Sequence, residues 1–200
     1  MFRRDYGAGC WSQMKLEGVS EEQIVRAMAR AWDEEIAPNV HPACCILASR
    51  CARETLLYFN LSNQVLPLKV YCYNESGFDS RFTPLENWHD EAWGVGTGEL
   101  AGKNEYAGHI VVLSQNWFID LSAKQYDRPQ KGILTGGSIV KSRDEIVFLR
   151  TEAQFPLKQG IYTMRLNAQN QSFKKSPDWL KGYRDYSGIL IRTVKDLLNA

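Results

Sequence analysis

The chain has 200 residues, enough for one domain with a sizeable core, and its 44% hydrophobic and 24% charged content is that of a folded soluble protein. Lys and Arg number 24 against 23 Asp and Glu, a net charge of +1, which excludes a strong electrostatic footprint for nucleic acid or an anionic membrane. No apolar run approaches the ~20 residues of a membrane-spanning helix.

The opening residues Met1-Phe2-Arg3-Arg4-Asp5-Tyr6 lead into Gly-Ala-Gly and polar residues rather than an apolar segment, which is not the pattern of a secretory signal. Cys10, Cys44, Cys45, Cys51 and Cys72 form an odd set without repeated spacing, so free thiols in a reducing, cytoplasmic setting are expected. Residues 1–18 are punctuated by glycine and read as an irregular segment. Residues 19–200 show no repeat and no long linker, and are expected to form one domain.

Ser20 opens a first helix. Ser20 and Gln23 have capping-box spacing, Glu21 and Glu22 suit the positive helix end, and Pro38 stops the run. Ile24, Ala27, Met28, Ala31 and Trp32 recur at helical spacing and form its buried face. A second helix is expected to begin between Pro42 and Cys45 and to run to about Phe59. Apolar residues cover most of its circumference, with only Arg50, Arg53 and Glu54 as a polar stripe, so it is expected to be central.

From Val65 the pattern changes to strands: Leu66–Tyr73, His109–Leu113, Trp117–Leu121, Glu145–Arg150 and Ile161–Asn167. The connection over 74–106 is long and contains Trp93-Gly94-Val95-Gly96-Thr97-Gly98. In a compact domain such a segment is often a functional loop. A closing helix is expected over Gly188–Leu198. Helices followed by strands suit an α+β fold.

Three histidines exist, His41, His89 and His109, so any histidine-dependent mechanism has a short list. His109 begins a strand and Asp120 ends the next. With Ser114-Gln115 as a two-residue turn, the two lie directly opposite on one face, at a Cβ separation of roughly 5 Å. Any even-length loop keeps them on one face. An Asp beside a His fixes the imidazole tautomer and stabilises the imidazolium. Cys45 is the candidate nucleophile because it sits where a buried helix begins. There, backbone N–H groups and the helix dipole favour a thiolate and can hold an oxyanion. A helix starting one residue earlier exchanges Cys45 for Cys44. A cysteine in an apolar helix is usually inert core, and a strand histidine is usually a satisfied half-buried side chain. It is their conjunction with Asp120 that points to chemistry.

The order of a Cys at a helix start, a His on a strand and an Asp on the next strand resembles the transglutaminase-like branch of the papain-like cysteine superfamily. Cys45-Ile46-Leu47-Ala48-Ser49-Arg50 followed by Leu66-Pro67-Leu68-Lys69-Val70, and Gly108-His109 followed by Phe118-Ile119-Asp120-Leu121-Ser122-Ala123-Lys124-Gln125-Tyr126, resemble uncharacterised bacterial and phage members over residues 40–130. The resemblance implies a nucleophile helix packed on an antiparallel sheet, with Cys45 as nucleophile, His109 as base and Asp120 as orienting acid. The superfamily includes proteases, amidases, deamidases and acyltransferases as well as binding-only versions, so fold alone leaves the reaction open.

Trp93, Gly108 and Gln125 are the candidate binding residues. Trp88, Trp93 and Trp117 could line a groove, although core packing is the commoner role of tryptophan. No Cys-x-x-Cys pair or His-x-x-x-His spacing exists, so no metal is expected and no cofactor is called for. His89-Asp90-Glu91 reads as a solvated turn. Gly94-Val95-Gly96-Thr97-Gly98 lacks the preceding strand and following Lys-Ser/Thr of a phosphate loop. The expectation is a thiol-dependent enzyme acting on an amide or acyl bond of a protein or peptide, with neither nucleic acid nor membrane as partner. The alternative is a non-catalytic protein-binding module of the same fold, of phage or mobile-element origin. On the triad reading, Asp120→Asn impairs activity severely and leaves stability almost untouched.

Overall fold

The computed structural model describes residues 18–41, 44–74, 93–95, 108–148, 152–168, 170–180 and 184–200, with backbone alone at 93–95, 178, 184 and 185. Helix α1 (Glu21–Ala31) begins as its sequence directs: the Gln23 N–H donates to Ser20 Oγ at 3.2 Å, and the Ser20 N–H donates to Gln23 Oε1 at 2.8 Å. The chain then loosens through a π turn at Trp32–Ile36 and a 3-10 turn at Ala37–Asn39, where Pro38 removes a donor. Helix α2 (Cys45–Tyr58) follows with Cys44 as its N-cap.

Strand β1 (Asn63–Tyr73) is the longest and the spine of an eight-stranded sheet. The others are β2 (Trp93–Val95), β3 (His109–Ser114), β4 (Trp117–Asp120), β5 (Ile139–Ser142), β6 (Val147–Phe148), β7 (Ala153–Pro156) and β8 (Ile161–Leu166). Their order is β5-β4-β3-β1-β8-β7-β6, with β2 also paired to β1, and every pairing is antiparallel. A short helix α3 (Pro177–Leu180) and the closing helix α4 (Arg184–Leu198) complete the described chain. The mixed helix and antiparallel sheet agree with the α+β expectation.

Alternation along β3 sorts its side chains into two layers. Ile110 and Val112 face the helices: Val112 belongs to a cluster with Leu47, Cys51 and Leu56 of α2, Met28 of α1 and Leu190 of α4. His109 and Val111 face the opposite layer, which holds Leu68, Phe118, Tyr126, Phe155 and Tyr162. Helix α2 is therefore central, as its nearly all-round apolar surface implies.

Several sequence expectations shift. The strand expected from Glu145 begins at Val147, because Arg143–Glu145 forms a 3-10 turn, and the last two expected residues, 149 and 150, lie outside the described residues. Glu145 folds back to accept the Ser142 N–H at 2.7 Å, and that local cap outcompetes extension. Helix α4 starts at Arg184 and runs through Gly188 instead of beginning there. The short strands β5 and β7 are additions to the strands expected from the sequence.

Candidate active site

The β3–β4 hairpin closes on Gln115 and Asn116, not on Ser114-Gln115, with Val112 opposite Ile119 and Leu113 opposite Phe118. Continued in that register, Asp120 faces Val111, so His109 and Asp120 are diagonal neighbours and not directly opposed. A slip of two residues preserves the face, and diagonal pairs remain within reach of long side chains. The His109 Nε2–H donates to Asp120 Oδ2 across 2.7 Å, with the two residues 0% and 1% exposed.

Asp120 is the hub of a buried network. Its Oδ2 also accepts from the Tyr162 hydroxyl at 3.0 Å, and its Oδ1 accepts from the Ser122 N–H and hydroxyl, each at 3.1 Å. Four donors on one carboxylate make it both an orienting group for His109 and a structural tie between β4 and β8. Sequence reasoning missed Ser122 and Tyr162. The Asp-x-Ser spacing was an available signal, since an Asp commonly accepts from the backbone two residues on. Tyr162 comes from a distant strand and left no local sign.

Cys45 is the first residue of α2 and is 8% exposed. Its thiol approaches the Gly108 carbonyl at 4.0 Å and is near enough to the His109 ring to contribute to that ring's raised pKa. Nε2 is committed to Asp120, so Nδ1 is the ring nitrogen on the other side. The Ser49 hydroxyl donates to the Ile110 carbonyl at 2.8 Å and fixes α2 against the start of β3, one turn along from the thiol. Cys44 gives the helix no side-chain cap, and the Ala48 N–H is the first to reach an intrahelical acceptor, Cys44 O, at 2.9 Å. The N–H groups of Cys45, Ile46 and Leu47 precede that bond and need acceptors from outside the helix.

Gln125 Nε2 lies 3.2 Å from His109 Nδ1. The same nitrogen also donates to Ser122 O at 3.0 Å and Ser122 Oγ at 3.2 Å, so the Gln125 amide ties Ser122 to the Nδ1 side of the His109 ring. Gln125 thus stands behind Ser122, which in turn donates to Asp120. Of the remaining sequence candidates, Gly108 is buried and offers its carbonyl to the Cys45 thiol. Trp93 is opposite Cys72 on β2, its side chain outside the described atoms. Trp117, on β4, packs partly buried against the helical core. His41 is exposed on the loop before α2, and His89 lies outside the described residues, as do Trp88 and the Gly96–Gly98 stretch.

Electrostatics follow from this packing. Burial pushes the His109 ring toward its neutral form, but the Asp120 charge and hydrogen bond, joined by Cys45, outweigh burial and raise its pKa to about 10. The Cys44 thiol is pushed up to about 12 by burial and then by its neighbour Cys45, and burial pushes Cys51 to about 12. Burial raises Cys72 well above its ordinary value. These three thiols are held in the protonated, unreactive form. Cys44, Cys45, Cys51 and Cys72 are all free. Among the described residues no group of three or more His, Cys, Asp or Glu could hold a metal ion, and no helix is long and apolar enough to cross a membrane. No protein-family model, curated protein or solved structure matches this chain.

Proposed function

We propose that this protein is a thiol-dependent acyl-transfer enzyme of the transglutaminase-like, papain-like type, acting on an amide or related acyl bond of a protein or peptide. The observation that carries the reading is the buried grouping of Cys45, His109 and Asp120, in which Asp120 holds Nε2 of the ring at 2.7 Å and the Cys45 thiol at the start of α2 helps raise the ring's pKa. With its pKa raised to about 10, His109 carries both ring protons at neutral pH and pairs as an imidazolium with the Cys45 thiolate, while Asp120 holds Nε2–H and stabilises that charge. The sulfur attacks the carbonyl carbon, and the oxyanion is received by the first N–H groups of α2, which are not used within the helix. His109 then protonates the leaving group, and water or an amine resolves the thioester. Hydrolysis and transfer share every one of these residues.

The rival reading, a binding module of the same fold, draws on the low exposure of Cys45. The two separate on exposure to p-nitrophenyl acetate, a small acyl donor that needs no substrate groove. The enzyme reading expects a burst of nitrophenolate and one acetyl group, mapped by mass spectrometry to Cys45. With Cys45→Ala the burst disappears. Acetyl spread over surface lysines with none on Cys45 supports the binding module.

A further inference from the structure

On the far side of the Cys45 wall lies a cavity of about 770 Å³, within the ~300–1,000 Å³ range of ligand sites. Phe173 is the shared wall, packing on Cys45 and Ile46 and lining the cavity as well. One side of the cavity is α2, where Ile46, Arg50 and Arg53 follow one another on a single helix face. The other sides are the start of β1, the end of β8 and the 3-10 turn Ser172–Lys175.

Two properties identify an occupant. First, no strand of the described residues continues the sheet here. The Asn167 N–H donates to Pro67 O at 2.9 Å, so the odd-numbered residues of β1 turn their peptide groups toward β8. β8 ends at Leu166, whereas β1 extends back to Asn63. Asn63 and Val65 therefore turn N–H and C=O groups toward an edge that no strand of the described residues covers. Such an edge is a template for another strand. Second, the lining is cationic. Arg50, Arg53 and Lys174 face the cavity and no acidic side chain lines it. Arg50 is held by Glu54 at 2.8 Å and lies over the Trp179 ring at 5.8 Å. Arg53 and Lys174 have no carboxylate partner among the described residues, although Lys174 also sits 5.8 Å from the Phe173 ring. Leu166, 57% exposed, supplies an apolar contact at the same edge.

We propose that this cavity is a docking groove for an extended, carboxylate-rich polypeptide segment. The segment adds as a strand to the open edge of β1, in line with β8, and places acidic side chains against Arg53 and Lys174. Main-chain bonds to Asn63 and Val65 supply affinity, and the cations supply selectivity. The groove binds whether or not Cys45 reacts, so its test is a binding measurement.

A fluorescein-labelled peptide blocked at both ends, Thr-Glu-Val-Glu-Thr-Glu, is titrated with the full chain while anisotropy is followed. Saturable binding is expected, weakening as salt is added. It weakens by at least about tenfold in the Arg53→Glu/Lys174→Glu double variant, whose fold is checked by circular dichroism. The lysine counterpart Thr-Lys-Val-Lys-Thr-Lys does not bind the natural chain. The acidic peptide N-methylated at alternate residues, unable to donate to the edge, also binds about tenfold more weakly. No binding of the acidic peptide, equal binding of the acidic and lysine peptides, or unchanged affinity in the double variant overturns the proposal. So does tighter binding of polyuridylate than of the acidic peptide, which would make the groove a phosphate site.

Discussion

Asp120→Ala is expected to lower the unfolding free energy by about 3–5 kcal/mol, read from urea denaturation at neutral pH. The side chain is buried and accepts from His109, Tyr162 and twice from Ser122, so its removal strands three polar side groups in a dry interior. Asp120→Asn keeps the shape but turns an amide N–H₂ toward donors, and about 1–3 kcal/mol is expected. This corrects the expectation, natural from sequence alone, that Asp120→Asn leaves stability almost untouched: a terminal strand residue of a hairpin gives no sign of four buried donors. The effect depends on pH. His109 has its folded pKa raised from about 6.5 in the unfolded chain to about 10. The stabilisation from its charged form is full below about 6.5 and is lost as pH rises through about 10. The gap between the natural chain and Asp120→Ala should therefore narrow between neutral pH and about 10. A loss under about 1 kcal/mol for Asp120→Ala would contradict the network.

On activity, Cys45→Ala and His109→Ala should each reduce acyl transfer by at least about a thousandfold and to the same residual level, with the double variant no worse. A nucleophile without its base is already lost, so the two losses do not add. Cys44→Ala is the control between adjacent thiols. Cys44 is the N-cap and its thiol is pushed up to about 12, so activity should persist in that variant. Losses that add between Cys45→Ala and His109→Ala would show two independent roles. Loss in Cys44→Ala alone would move the nucleophile by one residue.

How much of this was legible depends on which physical signal is local. The start of α1 was written in Ser20 and Gln23, and the start of α2 was bracketed between Pro42 and Cys45, where the apolar run Ala43-Cys44-Cys45-Ile46 does not single out one residue. The shared face of His109 and Asp120 was legible because it depends only on whether the loop is even or odd. The register itself was not: Ser114-Gln115 and Gln115-Asn116 are both polar pairs, and choosing the second moves every facing residue by two. β5 and β7 are four residues each, too short for alternation to stand above chance. The contribution of Tyr162 arises because β8 crosses to the far side of β1, a consequence of sheet order that no local pattern contains. The β1 edge was hidden for the same reason, since it is the early end of β8 that leaves Val65 without a strand neighbour on that side among the described residues.

The central claim is that Cys45 and His109 act as one unit. It is tested most directly by the rate at which iodoacetamide alkylates Cys45, followed residue by residue with mass spectrometry in the natural chain and in His109→Ala. A coupled pair predicts that Cys45 is modified ahead of Cys44, Cys51 and Cys72, and that His109→Ala slows it by at least about tenfold while the chain remains folded. Equal alkylation of Cys45 with and without the His109 ring, or no alkylation until the chain unfolds, would contradict the account.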